Sequence, residues 1–204
     1  MTEQEKMLKG MIYDSNDEEL ATMRAYAHRL CNRYNRTDEN DKEREDILES
    51  LIPENNGVYL QGPIFFDYGE FTTFGKRCYA NFNFTVLDCA PVTVGDDVFF
   101  GPNVCLATPV HPMLARERKM YEREDGVLTD REYAKPIVIE SDCWIASNVT
   151  VCGGVTIGKG TVIGAGSVVT RDIPDGVFAA GNPCKVIRKL TDKDSIMNKK
   201  DLFE

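Results

Sequence analysis

One aliphatic residue recurs at every sixth position over the second half of the chain. The register runs through six residues in strict phase: Ile139, Ile145, Val151, Ile157, Ile163 and Val169. A helix buries positions three and four apart, so a six-residue period would distribute these side chains around its whole surface. In an extended backbone, side chains two apart share a face, and Val149, Val151, Val155 and Ile157 lie at such even spacings. The pattern therefore predicts short strands separated by tight turns.

A second set of small or β-branched residues follows the first by four positions: Cys143, Val149, Val155, Thr161, Ser167 and Ile173. The six glycines between 153 and 166 would each cost a helix about 1 kcal/mol, whereas turns need them. A hexapeptide period of this kind is typical of a parallel β-helix. A less regular run, with a two-residue slip after Val86, predicts a wider stretch of the same solenoid at Phe74, Ala80, Val86, Val94, Phe100 and Leu106.

The rest of the chain divides into three further segments. Residues 1–55 are predicted to form helices, because apolar residues recur at helical spacing at Leu20, Met23, Ala27, Leu30 and Tyr34. Ser15 and Glu18 form a candidate capping box, and a second helix is expected near Asp41. The β-helix is expected over 56–190, interrupted by an excursion at 107–136 of a length typical of functional loops. Residues 191–204 are expected to form a charged tail.

Composition and charge exclude several classes of function. The chain has 204 residues and a formal net charge of −9, which argues against broad binding of nucleic acid or of anionic membranes. No apolar stretch approaches the ~20 residues that span a bilayer, and no leader is evident, so we expect a cytoplasmic protein. Seven cysteines without a Cys-x-x-Cys pair argue against a disulfide framework or a zinc ribbon. Cys78 and Cys143 occupy small-residue positions of the repeat and are expected in the core.

The chain contains two histidines, and they lie in different settings. His28 falls inside the first predicted helix, where a surface or packing role is expected. His111 lies between Pro109 and Pro112 at the root of the excursion. Imidazoles titrate at about pH 6.5, which suits a general base, although spacing alone leaves a structural role open. A basic cluster near the end of the repeats is a candidate anion site: Arg171, Lys185, Arg188 and Lys189.

Four stretches carry a family resemblance. They are the N-terminal "MLKGMIYDSNDEELATMRAYAHRLCNRYN", "YANFN" at 79–83, "TPVHPM" in the excursion and "VIGAGSVVTRDIPDGVFAAGNPCKVIRKL" at 162–190. In this order they resemble the hexapeptide-repeat acetyltransferases, and the N-terminal stretch is similar to the helical domain of the maltose and galactoside O-acetyltransferases. The resemblance covers nearly the whole chain. It implies a mainly β fold, a left-handed parallel β-helix with a small helical segment, and a homotrimer with sites between subunits. It also implies direct acetyl transfer from acetyl-CoA to a sugar hydroxyl without a metal.

The same resemblance implies roles for individual residues. His111 would be the general base, with Asn81 and Ser147 as the other catalytic residues, near the acceptor hydroxyl and the oxyanion. The acceptor would contact Asp14, Tyr79, Asn81, Asp88 and Glu132. Some relatives carry a second acid where this chain has Cys89, and Glu132 could alternatively orient His111. The cofactor set would be Asp67, Ser147, Ala165, Thr170, Arg171, Lys185 and Arg188, whose cations suit the phosphates of CoA.

Three alternative functions remain open from the sequence. A β-helical carbonic anhydrase would need three zinc-binding histidines, and the chain has two. A non-catalytic solenoid would explain the repeats but neither the excursion with its histidine nor the basic cluster. An acyltransferase of the same fold could instead act on an amino sugar, a nucleotide sugar or a serine.

Overall fold

The computed structural model describes residues 1–203, and it begins with three helices. The helices of the chain are α1 Glu3–Leu8, α2 Glu18–Tyr34, α3 Glu43–Leu51 and, later, α4 Ala115–Arg118. The Ser15–Glu18 capping box is wrong. Asp17 is the N-cap of α2, because its carboxylate accepts from the backbone N–H groups of Glu19 and Leu20 at 3.1 and 3.3 Å. Helix α1 was not predicted, and its capping box is formed by Thr2 and Glu5.

Twenty short strands and three single-turn 3₁₀ helices make up most of the remaining regular structure. In chain order the strands are β1 Tyr59–Leu60, β2 Ile64–Phe66, β3 Thr72–Phe74, β4 Tyr79–Ala80, β5 Phe84–Leu87, β6 Val92–Val94, β7 Phe99–Phe100, β8 Cys105–Ala107, β9 Pro109–Val110, β10 Tyr121–Glu122, β11 Leu128–Thr129, β12 Tyr133–Ala134, β13 Ile137–Ile139, β14 Trp144–Ile145, β15 Thr150–Cys152, β16 Thr156–Ile157, β17 Val162–Ile163, β18 Val168–Val169, β19 Val177–Ala180 and β20 Lys185–Lys189. The 3₁₀ helices are Asp192–Asp194, Ile196–Asn198 and Lys200–Leu202.

Three parallel sheets form the three faces of a prism. The first face has the order β1-β4-β7-β14-β17-β19, with β20 added antiparallel at its end. The second face is β2-β5-β8-β15-β18 and the third is β3-β6-β13-β16. The chain visits the three faces in turn, so each coil contributes one strand to each face. This is the predicted left-handed parallel β-helix.

The six-residue register forms the interior of the prism. All six residues of the strict register, from Ile139 to Val169, are fully buried, and so are the predicted cysteines Cys78 and Cys143. Strands pair so that Ile145 lies opposite Ile163 and Val151 opposite Val169, which makes a coil of three hexapeptides. Burying one aliphatic chain per hexapeptide gives the solenoid a continuous apolar core.

The first coils are two residues longer than the later ones. Leu60 pairs with Ala80 and Phe66 with Val86, twenty positions apart instead of eighteen. The extra residues fall between the second and third faces, after β2 and after β5. We call this edge the excursion corner, because the 107–136 excursion leaves the prism at the same edge, between β8 and β13.

Asparagines make the turns at the corner between the first and second faces. Asn83, Asn103 and Asn148 adopt left-handed φ values of 58, 60 and 58°, a conformation that asparagine tolerates better than most residues. Their side-chain amides form a ladder with N–O distances of 2.9 and 3.0 Å. Gly166 takes the same place on the next coil with φ of 71°, so glycine marks this turn only in the later repeats.

The N-terminal helices cover the first coil. Side chains of α2 and α3 belong to the same apolar cluster as the prism interior. The hydroxyl of Tyr34 donates to the carbonyl of Leu60 at 2.5 Å, and the guanidinium of Arg44 donates to the same carbonyl at 2.9 Å. The exposed backbone groups of a terminal coil would otherwise offer an open sheet edge.

Candidate active site

A short ribbon anchors the excursion to the prism. Strand β9 pairs antiparallel with β12, with Val110 opposite Tyr133. Buried Thr108 fixes the base of the ribbon, since its hydroxyl donates to the carbonyl of Leu87 at 2.7 Å and accepts from Ala90 N–H at 3.0 Å. His111 directly follows β9 and Glu132 directly precedes β12. The ribbon therefore holds these two side chains side by side.

The imidazole of His111 lies between two carboxylates. Its Nδ1 is 3.3 Å from Asp130 Oδ2, and its Nε2 is 3.4 Å from Glu132 Oε2. The ring remains 47% exposed, whereas the carboxylates are 21% and 12% exposed. In the tautomer whose Nδ1 hydrogen is held by Asp130, Nε2 can accept a proton, and Glu132 lies beside Nε2 to stabilise the imidazolium that forms. This arrangement is suited to general-base chemistry.

The N-terminal segment supports both carboxylates. Ser15 Oγ donates to Asp130 Oδ1 at 3.1 Å, and the Tyr13 hydroxyl donates to Glu132. Burial raises the pKa of Glu132, although the Tyr13 hydrogen bond and the nearby imidazole oppose the shift. Burial also raises the pKa of Tyr13. Tyr13 is therefore held as a hydrogen-bond donor to the Glu132 carboxylate.

A cavity of about 340 Å³ opens beside His111. His111 and Glu132 form one side, Ser15 and Arg24 extend from the N-terminal segment, and Asp67 and Cys89 come from the excursion corner. The Cys89 thiol lies 3.7 Å from Asp67 Oδ2. Sequence reasoning missed Ser15, Arg24, Cys89 and Asp130 as parts of this site. Asp130 had one signal, its position two residues before Glu132 in the excursion.

Asp14 lies next to this cavity but is fully engaged. Its carboxylate accepts from the Thr129 hydroxyl, from Asn16 N–H at 2.9 Å and from the guanidinium of Arg123. Burial alone would raise its pKa, but these hydrogen bonds lower the pKa below its ordinary value. Asp14 thus ties the N-terminal segment to the excursion.

The structure does not bring Asp88 to the cavity surface. The residue has no exposed surface, and its carboxylate accepts from Tyr68 N–H at 2.8 Å and from the Thr72 hydroxyl at 2.9 Å. Burial raises the pKa of Asp88 to about 6. The predicted sugar contact of Asp88 therefore needs correction, because a carboxylate without accessible surface cannot touch a ligand. Its neighbour Cys89 lines the cavity instead.

Asn81 and Tyr79 lie on another part of the prism. Asn81 belongs to the turn between β4 and β5, at the corner between the first and second faces. Tyr79 lies on the outer side of the first face, where its ring stacks on Tyr59 with centroids 5.9 Å apart. Ser147 and Ala165 occupy the equivalent turns of later coils. The structure thus brings Asn81, Ser147 and Ala165 to one corner, and His111 to another.

The remaining predicted cofactor residues fall into two groups. Thr170 and Arg171 follow β18 at the excursion corner, and Lys185 and Arg188 lie exposed on β20. The guanidinium of Arg188 forms two hydrogen bonds with Asp194, at 2.8 and 2.6 Å. Asp67 does not join either group, since it lies near the opposite end of the prism, in the His111 cavity.

Within residues 1–203, no group of three or more His, Cys, Asp or Glu residues is arranged to hold a metal ion. None of the helices described for this chain is long and apolar enough to cross a membrane.

Three family models match the chain. Residues 6–54 match the maltose acetyltransferase hexapeptide capping motif. Residues 136–171 match the bacterial transferase hexapeptide model of six repeats, and residues 91–111 match the hexapeptide repeat of succinyl-transferase. The matches therefore cover the helical segment and parts of the prism on both sides of the excursion.

Relatives and solved structures match along nearly the whole chain. The galactoside O-acetyltransferase of Escherichia coli is 37% identical over 192 residues, which cover 93% of this chain and 90% of the relative. A maltose O-acetyltransferase structure from Clostridium difficile has a TM-score of 0.85 at 40% identity and covers 94% of this chain and 98% of its own. A hexapeptide-repeat acetyltransferase from Vibrio cholerae, solved with acetyl coenzyme A, has a TM-score of 0.82 at 34% identity and covers 94% and 100%.

Proposed function

The chain belongs to the hexapeptide-repeat acetyltransferases that include galactoside and maltose O-acetyltransferases, and from this membership we propose that it moves an acetyl group from acetyl-CoA to a sugar hydroxyl. The observation that supports the assignment most directly is His111, held between Asp130 and Glu132 at the side of a cavity. A sugar hydroxyl is too weakly acidic to attack a thioester unaided at neutral pH, so the reaction needs such a base.

The proposed reaction is a direct transfer. Nε2 of His111 takes the proton of the acceptor hydroxyl while its oxygen attacks the thioester carbonyl. The tetrahedral oxyanion then collapses, the carbon–sulfur bond breaks, and the proton passes from the imidazolium to the departing CoA thiolate. Asp130 holds Nδ1–H throughout, and Glu132 stabilises the imidazolium while it lasts. The products are an acetyl ester of the sugar and the free thiol of CoA.

The acceptor contacts follow from the cavity walls. Asp67, Cys89 and Glu132 face the space beside His111, and carboxylates commonly accept hydrogen bonds from sugar hydroxyls. We therefore propose that Asp67 contacts the acceptor sugar and not the cofactor, and that Asp88 does not contact the acceptor. Asp14 is assigned to holding the excursion in place, because its oxygens are already bonded to Thr129, Asn16 and Arg123.

The distance between two corners supports a site shared by two copies. Asn81 precedes β5, and the excursion corner follows that strand. Four residues of strand, Phe84–Leu87, span about 13 Å. A base and an amide that hold one hydroxyl must both lie about 3 Å from it. We propose that Asn81, Tyr79 and the oxyanion donor Ser147 come from a neighbouring copy in a homotrimer, whose closed symmetry repeats the arrangement at each interface.

The proposed cofactor site uses the turns and β20. Ala165 would allow the slender pantetheine arm to pass close to the backbone, with Thr170 beside it. Arg171, Lys185 and Arg188 would bind the phosphates. Arg188 already makes a two-point contact with the Asp194 carboxylate, and a phosphate can replace a carboxylate in that geometry.

The activity can be tested with an acceptor screen. Release of free CoA thiol is followed with acetyl-CoA and a panel of glucose, maltose, galactosides, amino sugars and a serine peptide. We expect turnover on sugar hydroxyls, and a general base contributes about 10²–10⁴-fold, so His111→Ala should lose turnover by that factor while still gaining thermal stability from CoA. Turnover on amines alone would favour an amino-sugar acceptor, and full activity of His111→Ala would remove the base from the mechanism.

The shared site can be tested by mixing two inactive variants. His111→Ala and Asn81→Ala are unfolded together and refolded, so that copies of both kinds enter one trimer. Random assembly leaves about a quarter of the interfaces with an intact His111 and an intact Asn81, so activity should return to about that fraction. A mixture as inactive as either variant would show that both residues act within one copy.

A further inference from the structure

A second cavity adjoins the first along helix α2. It has a volume of about 260 Å³ and lies between α2 and the outer side of the second face. His28 and Asn32 line it from the helix, Phe65 from β2 and Leu87 from β5, with Asp67 at its end. None of the residues that line it is a lysine or an arginine.

Asp67 and Leu87 join the two cavities. Both residues line this second cavity and the His111 cavity. One carboxylate oxygen of Asp67 lies 3.6 Å from His28 Nε2, and the other lies 3.7 Å from the Cys89 thiol. A ligand whose reacting group lies beside His111 can therefore extend past Asp67 towards α2.

The chemistry of the second cavity suits a sugar ring. The His28 side chain is 52% exposed and Phe65 is 47% exposed, so both rings have surface that a ligand can contact. Within residues 1–203 the side-chain amide of Asn32 has no hydrogen-bond partner, which leaves a donor and an acceptor available. Aromatic surface with a few polar groups is the usual lining of small-molecule sites. The volume is below the range of about 300–1,000 Å³ for drug-sized ligands, which fits one pyranose ring.

Charge argues against a phosphorylated occupant. The lining residues include one acid, Asp67, and neither lysine nor arginine, so a phosphate would meet a carboxylate without a basic partner. A neutral polyol, by contrast, can donate to that carboxylate and to the Asn32 carbonyl oxygen. The apolar edge of its ring can pack on Phe65.

We propose that this cavity binds a second sugar ring of the acceptor, so that the enzyme acts preferentially on disaccharides or longer glycosides. The inference rests on the proposed function, because it extends the acceptor from the ring beside His111. Phe65 supplies the stacking surface, Asn32 and Asp67 supply the hydrogen bonds, and His28 lies beside Asp67 on the helix side of the cavity.

The test compares matched acceptors in the full-length protein. kcat/KM is measured for glucose against maltose and for galactose against lactose, with acetyl-CoA saturating. One stacking contact and one or two net hydrogen bonds predict a preference for the disaccharide of about tenfold or more. Phe65→Ala and Asn32→Ala should each reduce that ratio about fivefold, and Phe65→Tyr should keep it because the ring face is retained. Phe203→Ala removes another exposed phenylalanine, which lines neither cavity; it is the control and should keep the ratio.

The outcomes separate this inference from the function on which it rests. Equal kcat/KM for both members of each pair in the wild type would overturn the second site while acetyl transfer stands. A Phe65→Ala variant that loses activity on both acceptors in the same proportion would also overturn it. If no sugar in the panel is acetylated although acetyl-CoA raises the melting temperature, the proposed function itself fails.

Discussion

Replacing Asp88 by asparagine should stabilise the protein at neutral pH, although the residue is an acid with two good hydrogen bonds. Its carboxyl is fully buried, and burial raises its pKa to about 6 from the ordinary aspartate value of 3.8. Below both values the group is protonated in the folded and unfolded chain. As pH rises between them, the unfolded chain releases the proton first, so rising pH favours unfolding.

The size of the effect follows from the shift in pKa. The rise in pKa from 3.8 to about 6 lowers the free energy of unfolding by about 3 kcal/mol once the carboxyl is ionised in both states. This loss of stability is complete above pH 7. At pH 4.5 only about 1 kcal/mol of it has developed. An asparagine keeps the hydrogen bond from Tyr68 N–H. Its amide group can donate to the Thr72 hydroxyl oxygen, which reverses the bond that this hydroxyl now donates, so both contacts remain without the buried charge. The free energy of unfolding should therefore be higher in Asp88→Asn by about 1–3 kcal/mol at pH 8.

Urea unfolding at pH 4.5 and pH 8, at one protein concentration, measures the effect. The gain of Asp88→Asn over the wild type should grow by about 2 kcal/mol between the two pH values. The difference between variant and wild type isolates Asp88 from Glu132, whose pKa is also raised by burial. A variant less stable than the wild type at pH 8 would refute the reasoning. A raised KM for the sugar in a stable variant would restore Asp88 as an acceptor contact.

Two further predictions concern residues around the proposed reaction. Asp130→Asn removes the charge at Nδ1 of His111, so kcat should fall about tenfold to a hundredfold, with little change in the KM for acetyl-CoA. The control is Asp125→Asn, which changes an exposed acid of the same excursion that pairs with Arg123. An unchanged kcat in Asp130→Asn would contradict a positioning role. Arg188→Ala should raise the KM for acetyl-CoA about tenfold. Arg77→Ala breaks a similar two-point pair with Asp97 and should leave this KM unchanged. Equal KM values for acetyl-CoA in the two variants would exclude Arg188 from phosphate binding.

The prism could be predicted from the sequence because its periodicity is local. Each hexapeptide forms one strand and one turn, so the residue that fills the core is set by its position within six residues. Every residue of the strict register, from Ile139 to Val169, is buried as predicted. The two-residue slip after Val86 is also a real feature, since it lengthens the coil at the excursion corner.

The surroundings of His111 could not be predicted in the same way, because they depend on contacts between distant segments. Tyr13 reaches Glu132 and Ser15 reaches Asp130, across more than a hundred residues. No periodicity links such pairs. The misplacement of Asp88 has a similar cause. The carboxylate of Asp88 is turned inward to accept from Tyr68 and Thr72, which lie one coil earlier, and only the stacked coils reveal that contact.

The two-residue lengthening of the first coils explains why a site can form at the excursion corner. In a strict coil of hexapeptides the same corner is shorter. Between β15 and β16 it is turned by Gly153 and Gly154, and a Cβ on Gly153 would lie 2.5 Å from the carbonyl oxygen of Thr108. The longer corners of the earlier coils instead hold Asp67 after β2 and Asp88 and Cys89 after β5. The next coil inserts the whole excursion at the same edge, which brings His111 beside Asp67 and Cys89. A rigid repeat thus gains a cavity by adding residues at one corner on successive coils, while the register of its core stays unchanged.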